Sequence, residues 1–378
     1  MAEITQALAV LGALGRAGWP AYLVGGCVRD RLLGRAVHDW DIASAAPPEA
    51  VTAIFPRTVP TGLRHGTVTV LWEGEAFEVT TFRADGPYLD GRRPERVRFV
   101  DSLREDLSRR DFTVNAMAMD AAGNVTDLFG GREDLRRGVI RCVGDPDRRF
   151  SEDALRMLRA LRFAAQLGFA LDPETEAAIG RRAPLCEKLS AERVRDEVEK
   201  TLLSPDPAAV EKMAALGLLR GVGVPACGSL AALAAAPAER DVRWAGFLAA
   251  CPRADPARLR LDRRTARLCA AAAAACRPLD SEEALCRLVA DAGWEAADLV
   301  CALNGRREAL AALRASGRCV TVGRLAVNGA DLGWLGGPAV GETLRALLSH
   351  VLEYPEDNTR ETLLALARAL KTNTEESK

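Results

Sequence analysis

The sequence predicts an α+β N-terminal region followed by an all-α remainder. Between residues 20 and about 145, β-branched and aromatic runs alternate with turns and short helical stretches. From about Ser151 onward, Ala, Leu, Glu and Arg recur with helical periodicity. With 378 residues the chain can bury a large core and is expected to form two or more domains.

The elements follow in order. Residues 3–17 read as an amphipathic helix, and Ala21–Val24 as a short apolar strand. Gly25 and Gly26 then allow a tight turn and bring backbone N–H groups close to an anion. A helix over 28–33, carrying Arg29, would point its N-terminal end at the same anion. Next comes Asp39-Trp40-Asp41-Ile42, where a strand puts both carboxylates on one face, able to share metal ions. An EF-hand would need more ligands and a closing Glu, which are missing. Strands are expected at 68–71, 76–82 and 97–100, the first two joined through Trp72-Glu73-Gly74-Glu75 as an antiparallel hairpin. The Gly/Pro/Arg-rich stretch 83–101 reads as a long surface loop.

Two polar clusters remain. Arg109-Arg110-Asp111 leads straight into an apolar helical stretch, which gives its side chains a direction. Further on, Ser151 is a candidate N-cap, with Glu152 and Asp153 in the first turn. Asp153, Arg156, Arg159 and Arg162 recur every third residue along one drifting helical face, backed by Leu155, Leu158 and Leu161. Pro205-Asp206-Pro207 breaks the pattern before a helix near Ala208. The Ala-rich stretch 225–278 reads as packed helices, and the polar residues 372–378 as a frayed end. No internal repeat is evident.

Composition narrows the function. No run of about 18 apolar residues exists, so a spanning helix is not expected. The N-terminus lacks the features of a secretion signal, so a cytoplasmic protein is expected. The ten cysteines form no CxxC pair and only three histidines accompany them, which argues against zinc; most read as buried reduced thiols. The formal charge of −1 conceals a local bias: nine arginines against six acids between Arg132 and Arg162. Such a patch can bind nucleic acid on a near-neutral protein.

The motifs LVGGCVRDRLLG, DWDIAS, HGTVTV, FEVTTFR, DGRRP, DLSRRDFTVNAMAMD and EDALRMLRALRFAAQLGF occur in that order. Together they strongly resemble the class II tRNA nucleotidyltransferases, the CCA-adding enzymes and their poly(A) polymerase relatives. The resemblance implies a nucleotidyltransferase head over 1–145, a helical neck over 146–204 and a helical body and tail over 205–378. It implies that Gly25 and Gly26 cradle a triphosphate that Arg29 neutralises, and that Asp39 and Asp41 hold two Mg²⁺ ions. Strand alternation makes Glu78 the candidate third carboxylate. Arg110 and Asp111 would contact the nucleotide sugar and phosphate. Asp153 and Arg156 would select the base, and Arg159 and Arg162 would extend the positive face.

The expected activity is addition of CMP, CMP and AMP from CTP and ATP to the 3′ end of tRNA. Partial CC- or A-addition, poly(A) synthesis and a catalytically silent RNA-binding role are the competing readings. Intact carboxylates argue against the last. No phosphohydrolase histidine cluster is present. No stable protein partner is evident, though the reading leaves room for a homodimer.

Overall fold

The structure, a computed structural model, describes residues 4–86 and 97–376. It divides into two compact units, Met1–Pro225 and Ala226–Lys378.

The first unit is built on a seven-stranded sheet of order β3-β4-β5-β2-β1-β8-β9. Its strands are β1 (Ala21–Val24), β2 (Asp41–Ser44), β3 (Thr58–Gly62), β4 (Thr67–Trp72), β5 (Glu75–Thr81), β8 (Met117–Met119) and β9 (Val125–Asp127). All neighbours are antiparallel except β2 and β5, which run parallel with Asp41 opposite Glu78. The expected β4–β5 hairpin forms, with Trp72 opposite Glu75. Its two-residue turn has φ of 51° at Glu73 and 87° at Gly74, the double positive φ that matches the twist of the flanking strands. Two short pairs flank the sheet: β6 (Arg83–Asp85) with β7 (Val97–Phe99), and β10 (Val139–Ile140) with β11 (Ala170–Leu171). Both ends of the expected 83–101 loop are therefore strand, and its centre, with the DGRRP motif, lies outside the described residues.

Helices α1 (Ile4–Arg16), α2 (Gly26–Leu32), α3 (Pro48–Ile54), α4 (Leu103–Ser108) and α5 (Gly131–Arg137) accompany the sheet. Val24, Ala43, Phe82, Leu107 and Ala118 form a buried cluster that fixes β1 and β2, and hence the site, against α4. The helical part of this unit comprises α6 (Pro146–Glu152), α7 (Leu155–Leu167), α8 (Pro173–Arg182), α9 (Ala191–Leu202) and α10 (Ala209–Ala215). Here the structure corrects one expectation. Ser151 caps nothing; it lies inside α6, its hydroxyl donating to the Asp147 carbonyl. The cap is Asp145, which accepts from the Asp147 and Arg148 N–H groups, with Pro146 in the first turn where its missing donor costs nothing. The chain leaves helical geometry at Asp153 (φ −145°, ψ 105°) before α7 begins.

The second unit is helical: α11 (Arg240–Ala250), α12 (Arg263–Ala275), α13 (Glu282–Leu303), α14 (Arg307–Ala315), α15 (Pro338–Glu353) and α16 (Arg360–Glu376). Trp244 and Phe247 are fully buried in it and meet edge-to-face. Helix α16 runs through most of the stretch expected to fray. Most of the cysteines are free and buried as expected; the exception is a disulfide between Cys227 and Cys251. The other eight are free, and all but Cys276 are buried. Among the described residues no helix is long and apolar enough to cross a membrane.

Candidate active site

A cavity of about 390 Å³ opens in the first unit where β1, β2, α2, the loop after α4 and α7 converge. Gly25 joins β1 to α2 with φ 78° and ψ −133°, a conformation that L side chains rarely adopt. A Cβ there would lie 3.0 Å from Arg110 Nη1 and 3.9 Å from Asp41 Oδ2. The glycine thus lets backbone, a cation and a carboxylate share one corner of the cavity.

Asp41 opens β2 at the cavity wall. The surrounding protein pushes its carboxyl above the usual range; Arg110 opposes this, while Glu78 and Asp39 reinforce it. Asp41 therefore feels the negative charge of both Glu78 and Asp39 at the start of β2. A divalent cation would relieve that repulsion, and carboxylate oxygens suit a hard ion such as Mg²⁺. The donor set fits a metal, although no compact group of three or more metal-ligating side chains occurs among the described residues.

Behind the opposite wall, Asp106 is fully buried between two guanidiniums. Arg109 Nη2 donates to its Oδ1 at 2.7 Å and Arg110 Nη2 to its Oδ2 at 3.1 Å. Burial alone would raise the Asp106 carboxyl; Arg109 and Arg110 outweigh it and hold it below the usual range. This anchor turns Arg110 toward Gly25.

A second network ties α2 to α7. Arg29 pairs with Asp30 and donates from Nη1 to Asn115 Oδ1 at 2.7 Å. Asn115 Nδ2 donates to Asp111 Oδ1 at 3.2 Å, and Asp111 Oδ2 accepts from Arg159 Nη2 at 2.6 Å. Burial works against the Asp111 charge, but Arg159 and Asn115 prevail and bring the carboxyl down to about 2. Arg29, Arg159 and Arg162 crowd the ring of Phe163, with guanidinium carbons 5.2, 5.2 and 4.0 Å from its centroid.

The remaining wall carries Asp153 and Arg156. Arg156 is fixed by Glu152 Oε2 at 2.8 Å and by the Arg109 carbonyl at 3.1 Å. Asp153 Oδ1 accepts from the Leu155 N–H at 3.1 Å, and its Oδ2 from Arg193 Nη2 at 2.8 Å.

Comparison with known proteins matches the Poly A polymerase head domain over residues 21–141, and the probable RNA and SrmB-binding site of polymerase A over 168–223. The chain is 44% identical to a CCA-adding enzyme of Geobacillus kaustophilus over 95% of each chain. The chain belongs to the CCA-adding enzyme family. The match to the Geobacillus stearothermophilus CCA-adding enzyme is closer, at 56% identity, but covers 56% of this chain and spans about half of that relative's length (53%). The crystal structure of the Bacillus stearothermophilus CCA-adding enzyme in complex with CTP superposes with a TM-score of 0.76 and 38% identity, covering 99% of both chains. A Thermotoga maritima CCA-adding enzyme complexed with tRNA shares the fold, with a TM-score of 0.61 and 20% identity over 96% of this chain and 94% of that one.

Of the residues singled out from sequence, Gly25, Gly26, Arg29, Asp41, Arg110, Asp111, Asp153, Arg156 and Arg159 all line the cavity. Asp39 stands outside its lining, exposed at the entry to β2 and close enough to perturb Asp41. Arg162 is turned away: its Nε donates to Glu197 Oε2 of α9 at 2.5 Å and its Nη1 to Gln166. Sequence reasoning gave Arg109 a direction only as part of its cluster, and assigned no role to Asn115 and Phe163 in the lining, or to Asp106, Arg193 and Glu197 outside it. For Asp106 a signal existed, since a carboxylate three and four residues before two arginines is the spacing of helical ion pairs.

Proposed function

We propose that this chain extends the 3′ end of tRNA by C, C and A without a nucleic-acid template, using CTP and ATP and releasing pyrophosphate. Residues 1–145 would be the catalytic head, 146–204 the base-reading neck, and 205–378 the tRNA-binding body and tail. The observation that carries this reading is one cavity lined by a glycine turn, by arginines, by Asp41 and by the Asp153 and Arg156 pair.

Each group has a chemical task. Backbone at Gly25 and Gly26, with Arg29 and Arg110, would hold the triphosphate. Asp39 and Asp41, with Glu78 beside them, would hold Mg²⁺. When bound, the metal supplies activation of the attacking 3′-hydroxyl and stabilisation of departing pyrophosphate. Asp153 would accept from the exocyclic amine of cytosine or adenine, while Arg156 donates to the adjacent ring nitrogen. Uracil and guanine present the reverse pattern and would leave buried groups unpaired. The anchoring of Arg156 by Glu152 and the Arg109 carbonyl fixes the plane of its donors before a nucleotide arrives. RNA would be held largely through its shape and backbone, so its binding should weaken with salt.

The test is incorporation of each labelled nucleotide, with Mg²⁺, into tRNAs ending before CCA, after C and after CC, beside an unstructured RNA. Two C and one A on tRNA alone support the proposal. Long A tails on any RNA would make the protein a poly(A) polymerase, and a stop after CC, or A added only after CC, a partial enzyme. In the same assay Asp153→Ala should blur base choice more than triphosphate binding.

A further inference from the structure

Asp153 does not hold its own position. It lies at the non-helical step between α6 and α7, where α7 holds its carboxylate through the Leu155 N–H. Its second hold comes from forty residues away: Arg193, in the first turn of α9, reaches its Oδ2 at 2.8 Å. The pair is partly shielded, with 22% of the Arg193 side chain and 18% of the Asp153 side chain exposed. Arg193 is itself absent from the cavity lining. Its Nη1 is buried without a hydrogen-bond partner, so Asp153 is where its polar bonding is concentrated.

One turn later on the same helix, Glu197 is 4% exposed and holds Arg162, with Arg159 Nη1 3.9 Å away. Helix α9 thus presents a cation to the carboxylate of the base-facing wall and an anion to the guanidiniums beyond it. The charges are complementary at both points, and α7 and α9 are extensively packed together.

We infer that Arg193 is a specificity-determining positioning residue, acting through Asp153 to aim the carboxylate that reads the base. This rests on the reading of Asp153 given above. With Oδ1 committed to the Leu155 N–H and Oδ2 to Arg193, the carboxylate is locked in rotation and offers its remaining lone pairs in fixed directions. An exocyclic amine placed there is accepted, whereas a carbonyl oxygen meets an acceptor and is refused. Without Arg193 the side chain keeps a single backbone bond and can swing away. The penalty against a carbonyl then falls, while the proposed triphosphate contacts at Gly25, Gly26, Arg29 and Arg110 do not involve Arg193.

The experiment measures binding of CTP, ATP, UTP and GTP to the full-length protein by calorimetry without tRNA, then steady-state incorporation, for wild type, Arg193→Ala, Arg193→Gln and Arg193→Lys. Arg193→Ala and Arg193→Gln should weaken CTP and ATP and leave UTP and GTP unchanged or improved, compressing the CTP/UTP affinity ratio about tenfold, one partial loss of a charged hydrogen bond. KM for CTP should rise more than kcat falls, and Arg193→Lys should restore part of the ratio. A merely structural residue would weaken all four nucleotides equally, and that result overturns the inference, as does an unchanged ratio. If Arg193→Ala fails to fold, as judged by its melting profile, the Gln and Lys variants carry the test. Discrimination that survives Asp153→Ala would instead sink the reading of Asp153 on which this depends.

Discussion

Asp41 and Glu78 face each other across the single parallel pairing in the sheet, β2 against β5. The hairpin register that sets β5 therefore also sets where Glu78 stands relative to the DxD pair. Because the Asp41 carboxyl is raised, its ionisation opposes folding at neutral pH: stability is full below the unfolded value and declines as pH rises through the folded one. Asp41→Asn should accordingly melt above wild type at pH 7 while losing nucleotide transfer by about 10³-fold or more. Glu78→Gln should keep measurable transfer but need more Mg²⁺ for half-maximal rate. A lower melting temperature for Asp41→Asn would show that the surrounding protein does not disfavour the charged carboxylate.

Asp111 makes the opposite prediction. Its carboxyl is held down to about 2, so its contribution is complete above an ordinary aspartate value and disappears as pH falls toward 2. That difference is worth about 2 kcal/mol. Asp111→Asn should be destabilised at pH 7 by about 2–4 kcal/mol, because Arg159 loses its close partner. The gap should narrow steadily in urea unfolding curves taken from pH 5 downward. Parallel pH profiles for the two proteins would refute the role of the pair.

Gly25→Ala should cost about 1–3 kcal/mol from its positive φ alone. The added methyl, 3.0 Å from Arg110 Nη1, should also displace that guanidinium and raise KM for both CTP and ATP. Gly26→Ala is the comparison: it lies in α2, and its Cβ would meet only Arg29 Nη2 at 3.6 Å. Equal effects at the two positions would deny Gly25 its special place.

The disulfide bridges residues 24 apart in sequence in the second unit. Chain-entropy arguments put its stabilisation at about 3 kcal/mol. Reduction, or Cys227→Ser, should lower the unfolding midpoint of that unit and leave nucleotide binding in the first unit intact. The check is calorimetry with and without reductant, alongside mass analysis for the bond.

Much of this was legible in the chain. The apolar strand formed where it was expected, the short helix started two residues early so that Gly25 alone makes the turn, and the β4–β5 hairpin followed from its Glu-Gly turn. The break at Asp153 was hidden because nothing in Glu152-Asp153-Ala154-Leu155 interrupts a helix by propensity, and the start signal in Asp145-Pro146 was overlooked in favour of Ser151. Arg162 misled for a geometric reason. Steps of three residues fall short of a full 3.6-residue turn, so by Arg162 the row has rotated off the face of Arg156 and onto α9. Arg193 and Glu197 were invisible because their roles exist only once α9 packs on α7. The disulfide gave no spacing signal, since proximity of Cys227 and Cys251 is set by the end of α11 rather than by a motif.

Phe163 gathers three guanidiniums around one ring, and two of them, Arg29 and Arg159, also line the cavity. Bringing like charges together is unfavourable, and here it is done during folding, with Asp30, Asp111 and Glu197 as counterweights. An incoming polyanion then meets cations that need no reorganisation to receive it. On the proposed function, the arrangement of these arginines around one ring would matter to affinity as well as their number, because cations already in place need not be gathered when the ligand binds.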